Sequence, residues 1–379
     1  MLKIKVEGKE LKGIIEKALC NMDKKAAFPL LTKVILSDDG NKLTAYTSNL
    51  ESYLQVNTNK YISVETGSVG IDEEDLNVLL KMNNEVIITE LEDSILVQNG
   101  KKNISLMKYN ISDFPKIPED IYVDALQFRE NDFAETINNL VTFTSDNESN
   151  KIMGCFNFNI TDNRVETLDG HRIGMKTIKD NEKIVDKGYI LVKNNIVSDL
   201  KKTLDKKSQV KVLLSHSSKY VKVTGNNFTY IHRKVEGEYY KVGQMLISDF
   251  KLSFKADTEE MLSHMKYYTD NVIEKNNRKP VVLKIENDAL ITYARNSRLE
   301  VSNSMEIKEH SGEDLTIGFN PYFFVDALKI ADSDTVSVGG TNYKAPFFIN
   351  AKKYSFVILP VNLNSEIEAM EKYLNKVAV

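Results

Sequence analysis

Apolar residues return at every third and fourth position in six stretches of this chain, the spacing of a helix with one buried face. Residues 9–22 place Leu11, Ile14, Ile15, Ala18 and Leu19 on one side. Residues 132–143 do the same with Phe133, Ile137, Leu140 and Val141, and residues 259–268 with Met261, Leu262 and Met265. Aligned on Leu11, Phe133 and Met261, these three segments recur at intervals of 122 and 128 residues. A second set follows at similar intervals: residues 75–82 with Leu76, Leu79 and Leu80, residues 194–204 with Ile196, Val197, Leu200 and Leu204, and residues 321–330 with Phe323, Phe324, Ala327 and Leu328. Between the helical segments lie runs that alternate or are continuously apolar, such as Lys33-Val34-Ile35-Leu36-Ser37, Glu85-Val86-Ile87-Ile88-Thr89, Val210-Lys211-Val212-Leu213 and Val281-Val282-Leu283-Lys284-Ile285. Turn signals such as Asp39-Gly40 and Thr224-Gly225-Asn226 punctuate them. Two helices recurring in order three times point to a triplicated unit of the α+β class, each copy with about two helices and many strands. The joints fall at residues 115–124 and 236–249. The predicted domains are therefore 1–120, 121–248 and 249–363. A tail, 364–379, falls outside the repeat, with Ile367, Met370, Tyr373, Leu374 and Val377 at helical spacing. Its simplest role is a helix docked on its own domain; the alternative is a regulatory or partner-binding helix.

Composition narrows the class. Of 379 residues, 50 are Lys or Arg and 54 are Asp or Glu, a net charge of −4, which excludes a generally basic nucleic-acid coat but leaves room for a local basic face. Cys20 and Cys155 are too few for a disulfide scaffold and suit a reducing compartment. No apolar run approaches the roughly 20 residues that span a bilayer, and the opening Met1-Leu2-Lys3-Ile4-Lys5-Val6 reads as a strand rather than a signal peptide. The expectation is a cytoplasmic, multi-domain protein with no membrane partner.

One local run carries candidate chemistry: Thr167-Leu168-Asp169-Gly170-His171-Arg172-Ile173-Gly174. Asp169 and His171 could orient an imidazole for base catalysis or serve as two metal ligands, as in a metal-dependent hydrolase. Both uses need further partners, and His216, His232, His264 and His310 form no ligand-spaced cluster. The alternative is a tight turn between strands, in which Asp169 accepts backbone N–H groups, Gly170 takes positive φ, and His171 and Arg172 anchor the loop. Cys155, in a strand-like run, and Cys20, at a helix end, read as small buried hydrophobes rather than nucleophiles. Lysines fall on or beside the helical segments, and they gain meaning only if the repeats bring them to one surface.

Together these segments resemble the bacterial DNA sliding clamp family, the beta subunit of the replicative DNA polymerase III. The resemblance rests on the three repeats, Asp169-Gly170-His171-Arg172, Leu315-Thr316-Ile317-Gly318-Phe319-Asn320, Val235-Glu236-Gly237, Asp113-Phe114-Pro115, and Val357-Ile358-Leu359-Pro360. It covers residues 1 to about 363. It implies a head-to-tail homodimeric ring with helices lining the hole and sheets outside. Such a ring encircles duplex DNA without sequence preference and tethers a polymerase, with no catalytic residue, no metal and no cofactor. Because a topological link needs no tight contact, a modest basic lining suffices in an acidic protein. A non-DNA scaffold built from the same repeats is the remaining alternative.

The resemblance also implies positions. Polymerase, clamp loader and repair proteins would insert short apolar and aromatic peptides into a cleft. That cleft would be made by Ile152, Leu168, Gly170, His171, Arg172 and Ile173, by Tyr240, Gln244 and Met245 of the second joint, and by Asn320, Phe323, Pro346, Val357, Leu359, Pro360 and Val361. Several of these depart from the family pattern: Leu168 stands where a small hydroxyl residue is usual, Tyr240 replaces a proline, Gln244 replaces an arginine, and the ending reads Leu359-Pro360-Val361-Asn362-Leu363. The dimer contact would join Lys101, Asn103 and Ile104 of one copy to Tyr267 and Tyr268 of the other, the alternative being that the two tyrosines belong to their own domain's core. Lys25 and Lys193 would face DNA, and helix placement adds Lys12, Lys201 and Lys202 as secondary candidates.

Overall fold

A computed structural model describes residues 1–147, 149–247, 249–274, 279–286, 288–363 and 366–377. They form two compact units, one of Met1–Asn138, Asp180–Asp186 and Val192–Glu236, the other of Asn139–Lys179, Lys187–Leu191 and Gly237–Val379. All six repeat helices are present: α1 (Gly8–Ala18), α2 (Glu73–Leu79), α3 (Glu130–Leu140), α4 (Asn194–Thr203), α5 (Thr258–Asn271) and α6 (Pro321–Ile330). Their ends are set by chemistry that apolar spacing does not report. Asp72 accepts from the Glu74 N–H and, with Glu73, Glu74 and Asp75 in the first turn, starts α2 three residues before Leu76, the first residue of its apolar stripe. Asp257 caps α5 in the same way through Glu260 N–H, at 2.9 Å. A further helix, α7 (Glu366–Val377), lies in the tail.

The first unit holds a five-stranded and an eight-stranded sheet. The larger runs in the order Val123–Arg129, Lys211–His216, Tyr220–Thr224, Phe228–Arg233, Ser52–Thr58, Leu43–Ser48, Lys33–Asp38 and Gly67–Asp72, all neighbours antiparallel. Strands of the first and second repeats thus share one sheet, joined where Phe228 faces Val56 and His232 faces Ser52. Helix α1 lies on the strands Leu43–Ser48 and Ser52–Thr58. It buries Leu11, Ile14, Ile15 and Ala18 and leaves Lys9 and Lys12 in water. Each of its larger apolar side chains contributes about 1.5–3 kcal/mol through burial.

The second unit repeats the plan with a nine-stranded and a four-stranded sheet. The nine-stranded sheet crosses from the second repeat to the third where Arg172–Thr177 pairs antiparallel with Tyr354–Ile358. The four-stranded sheet runs Glu300–Glu306, Ala289–Arg295, Val281–Glu286 and Leu315–Phe319, so Glu300–Glu306 and Leu315–Phe319 are its edges. The tail docks on this sheet: Met370 is buried with Val282, Tyr293 and Leu363, and Ile367, Tyr373 and Leu374 pack around them. Arg295 fastens the start of α7 through two contacts to Glu366, at 2.9 and 3.3 Å.

Candidate partner-binding cleft

The run around Asp169 is a turn between the strands Arg164–Leu168 and Arg172–Thr177. Gly170 has φ +89°, which a side chain would strain. Asp169 Oδ1 accepts from the N–H groups of His171 (2.9 Å) and Arg172 (3.1 Å), and Oδ2 accepts from Arg172 Nε at 2.8 Å. Both oxygens are therefore committed to the turn and to Arg172, so Asp169 is not placed to orient the His171 ring, and the hydrolase alternative loses its base–carboxylate pair.

Arg172 is the centre of the site. Its guanidinium donates from Nε to Asp169, from Nη1 to Asp326 at 2.7 Å and from Nη2 to the Thr142 carbonyl at 2.8 Å. The same plane lies between the rings of Phe143 and Phe323, 4.8 and 4.5 Å from their centroids. Only a planar fork can satisfy three acceptors in three directions while stacked on two rings. Arg172 is buried, at 9% exposure, and its charge is balanced by two carboxylates. The exposed His171 ring stacks on Phe323 at 6.1 Å, and its carbonyl accepts from Leu359 N–H at 2.9 Å. Arg172 thus ties α6 to the turn, and the His171–Phe323 pair forms the rim above it.

Beside this hub lies an apolar floor. Leu168 faces Ile173, Ile173 faces Val357, and Val357 faces Phe348, one cross-strand row over four strands. Residues directly opposite in a sheet point to one face. With Met175 and Val242 the row is a buried cluster, and Met153, Tyr239, Tyr240, Leu246 and Phe250 pack against it half-buried. The second joint supplies most of that cover. Tyr240 is held by Asn150, whose amide donates to the phenol oxygen at 2.6 Å, and Phe250 meets Phe348 at 5.2 Å between centroids.

Of the expected cleft residues, the fold brings Leu168, Ile173 and Val357 to the floor, Tyr240 to its cover, and His171, Arg172, Phe323 and Leu359 to the rim. The others are placed differently. Asn320 caps α6, its side chain accepting from Tyr322 N–H at 3.0 Å. Ile152 lies against Gly237, where a side chain would approach to 2.9 Å. Gly170 sits under Met153. Met245 is exposed in the turn Val242–Met245, and Gln244 lines a neighbouring cavity with Asn157, Asn159 and Tyr189. Pro346 is half-buried before the strand Phe347–Asn350. Pro360 and Val361 line a separate cavity beside α7. Sequence reasoning missed Met175, Val242, Phe348, Phe143 and Asp326. Period-two counting from Ile173 reaches Met175, but no local signal marks Asp326 as the partner of Arg172.

Models of the DNA polymerase III beta subunit match this chain twice, its central domain over residues 127–241 and its C-terminal domain over residues 245–362. The chain belongs to the bacterial DNA sliding clamp family. Among curated clamps, the beta sliding clamp of Rickettsia bellii is 25% identical over 390 residues, spanning 96% of this chain and 100% of the relative. That of Bacillus subtilis is 21% identical, spanning 95% and 99%. Among solved clamp structures, the B. subtilis sliding clamp superposes with a TM-score of 0.87 at 18% identity, covering 95% of this chain and 99% of that one. The Streptococcus pyogenes beta subunit superposes with a TM-score of 0.88 at 17% identity, covering 95% and 100%.

Clamp positions outside the cleft are partly redrawn. Tyr268, expected at a dimer contact, is wholly buried in its own unit. Its hydroxyl bonds the Thr292 carbonyl at 2.8 Å and the Thr292 hydroxyl at 2.9 Å, and burial pushes its pKa up to about 12. The reason is helical phase: Met261, Met265 and Tyr268 share the buried face of α5. Tyr267 remains exposed. Lys101 and Asn103 are exposed and Ile104 half-buried at the edge strand Lys102–Met107 of the five-stranded sheet. Of the clamp lysines, Lys25 and Lys202 are exposed, and Lys12 pairs with Glu16 at 3.7 Å. Burial and the nearby Lys206 lower the Lys201 pKa. Lys193 precedes α4 and lines a polar cavity of about 400 Å³ with Arg233, Asp199, Tyr230 and His232. There burial raises Asp199 to about 6 and lowers His232 to about 4. Among the described residues no three metal-ligating side chains come together, and no helix is long and apolar enough to cross a membrane.

Proposed function

We propose that two copies of this chain close head to tail into a ring around duplex DNA and tether the replicative polymerase to it. The observation that carries this is the match to curated beta sliding clamps over 96% of this chain and the whole length of the relative. Each copy supplies three clamp domains, 1–120, 121–248 and 249–363, with the tail 364–379 appended. The chain acts in the bacterial cytoplasm as a processivity subunit that catalyses nothing and needs no cofactor. Its work is topological, and its contacts to phosphate are few and exchangeable.

Partner recognition is assigned to the Leu168–Ile173–Val357–Phe348 floor and the His171–Phe323 rim. An apolar floor with a few fixed polar groups suits a short peptide with leucine or aromatic anchors, of the kind presented by the polymerase catalytic subunit, the clamp loader and repair proteins. Arg172 positions the rim. Ring closure is assigned to two edge strands. Lys102–Met107 begins with Lys102, directly after Lys101, and Glu300–Glu306 begins and ends with Glu300 and Glu306. Pairing these edges between copies would hide both from other chains and set lysines against glutamates. Lys25, Lys193 and Lys202 face DNA, with Lys12 and Lys201 at the margin.

The test is retention on DNA of two topologies. The protein is loaded with its cognate clamp loader and ATP on a nicked circular plasmid and passed over a sizing column at high salt. It should travel with the circle and leave when the plasmid is linearised. Retention that falls equally with salt on circular and linear DNA would mean ordinary electrostatic binding and would defeat the ring.

A further inference from the structure

The turn between the strands Leu43–Ser48 and Ser52–Thr58 repeats the Asp169 turn bond for bond. Asn49 Oδ1 accepts from the N–H groups of Glu51 (3.1 Å) and Ser52 (2.8 Å), as Asp169 Oδ1 does from His171 and Arg172. Leu50 takes φ +72° where Gly170 takes +89°. The Glu51 carbonyl accepts from Arg233 N–H at 2.9 Å, as the His171 carbonyl does from Leu359 N–H. Ser52 faces His232 across the sheet, as Arg172 faces Ile358. Asp199 and Asp326 are each the sixth residue of a ten-residue helix, α4 and α6. Cys20 and Thr142 are each the middle residue of a three-residue helical turn, Leu19–Asn21 and Val141–Phe143. At the centre of this frame, serine stands where the second unit has Arg172.

The shorter side chain leaves room. The cavity of about 400 Å³ in the first unit is lined by Cys20, Asn49, Ser52, Asp199 and His232, among others, so the counterparts of all three acceptor residues of Arg172 form its wall. That volume suits a small ligand. Two acceptors there have capacity to spare. The Tyr230 hydroxyl lies 3.1 Å from both Asn21 Oδ1 and Asp199 Oδ2, and its one proton serves only one of them, whereas a carboxylate accepts several bonds. His232 is 1% exposed, and its Nδ1 lies 2.9 Å from the Arg233 carbonyl. A carbonyl only accepts, so Nδ1 carries the proton and Nε2 is a bare acceptor, with no hydrogen-bond partner among the described residues. A buried acceptor of this kind calls for a donor. The charges of the wall agree: Asp23, Glu51 and Asp199 outnumber Lys193 and Arg233 by one when His232 is neutral.

We propose that this cavity binds an alkylguanidinium ligand, whose planar N–H fork takes the place that the Arg172 side chain holds in the second unit. The guanidinium donates to the Asp199 carboxylate and to His232 Nε2. It is the group for which the matching frame of the second unit is built. An ammonium carries its charge at a point and lacks the fork. An anion would bring neither a donor for Nε2 nor a partner for Asp199. The source is a free guanidine or the arginine of a protein partner, which present the same head group. This inference stands apart from the ring and cleft readings.

The experiment titrates the full chain, its histidine rings labelled with ¹³C and ¹⁵N, with four probes: methylguanidinium, methylammonium, a blocked Gly-Arg-Gly tripeptide and inorganic phosphate. Five ring signals are expected, and His232→Gln identifies the one that reports on the cavity. Methylguanidinium should shift that signal with a dissociation constant on the order of 1 mM. Methylammonium should bind about tenfold more weakly. Asp199→Asn should cost about tenfold in methylguanidinium affinity, the effect of losing one charge-assisted bond. Ser52→Arg should abolish binding, because its own guanidinium then fills the cavity. Tighter binding of the tripeptide would make a partner's arginine the source, and equal or weaker binding would make it a free guanidine. An unmoved His232 signal, a shift by phosphate alone, or equal binding of both cations that ignores Asp199→Asn would each overturn the site. Should Ser52→Arg not fold, Asp199→Asn and the His232 signal still decide.

Discussion

Replacing Arg172 by alanine removes three charge-assisted hydrogen bonds and two ring contacts at once. Asp169 and Asp326 would keep their charges, and the Thr142 carbonyl would lose its donor. Breaking a fully buried pair from one side costs about 3–5 kcal/mol. Here Asp169 and Asp326 are 18% and 30% exposed and regain some water, so the expected loss is about 2–4 kcal/mol. Arg172→Lys keeps the charge but reaches one acceptor instead of three, so it should lose about half as much. The assay is urea unfolding followed by tryptophan-free probes such as tyrosine fluorescence and circular dichroism, with a double-mutant cycle against Asp326→Asn. A chain of this size need not unfold in one step, so the cycle is read on the transition that Arg172→Ala shifts. Arg172 and Asp326 should couple by about 0.5–3 kcal/mol. Peptide affinity should fall with Arg172→Ala, because the His171–Phe323 rim loses its support. A stability loss under about 0.5 kcal/mol, the size of an ordinary surface substitution, or no coupling with Asp326, would refute the hub.

Tyr268→Phe removes a buried hydroxyl from Thr292, so urea stability should drop by about 1 kcal/mol with native mass unchanged; a mass shift without a stability loss would return Tyr268 to the interface. Reversing Lys101 and Lys102 to glutamate should move the light-scattering mass from twice the 43.1 kDa chain toward one copy, and adding Glu300→Lys with Glu306→Lys should restore it; failure to restore would remove edge pairing. Asp199 and His232 should give opposite pH slopes. Asp199 is raised from 3.8 to about 6, so its protonation favours the fold, and that contribution is present below pH 3.8 and lost as pH rises through 6. His232 is lowered from 6.5 to about 4, so its neutral form favours the fold, and that contribution is present above pH 6.5 and lost as pH falls through 4. Asp199→Asn should therefore steepen the loss of stability on acidification between pH 6 and 4, and an unchanged slope would mean that Asp199 titrates normally.

Much of this architecture was legible because it is written in short-range periodicity. The six repeat helices and the four strand runs named from spacing all appear, with ends displaced by up to about four residues, at Asp72 and Asp257 where a cap acts and elsewhere where apolar spacing runs past the regular helix, as beyond Ala18 and Leu79. The turn at Asp169 was legible too, because Asp-Gly specifies its own backbone bonds. Long-range pairing was not. Nothing near Arg172 points to Asp326, and nothing near Val357 points to Ile173, since register between strands 184 residues apart is set by the whole sheet. The misplaced Tyr268 shows a different limit. Position within a family implied an interface, while the 3.6-residue period that puts Met261, Met265 and Tyr268 on one face implied a core, and the physical period prevailed.

The location of the proposed cleft follows from the same sheet. A cleft needs a rigid floor and a rim that does not move with the joint. The crossing of Arg172–Thr177 onto Tyr354–Ile358 supplies the floor, because Ile173 and Val357 meet there within a continuous ladder rather than across a loop. Arg172 then links that ladder to α6 through Asp326, so the Phe323 rim is fixed to the same frame as the floor. Tyr240, Leu246 and Phe250 are half-buried and lie over the row without belonging to it. Family-level departures at Leu168 and Tyr240 fall on the floor and its cover, whereas Asp169, Gly170, His171 and Arg172 keep the family motif. In the proposed cleft, change at such positions would alter which side chain a partner must offer and leave the frame that receives it intact.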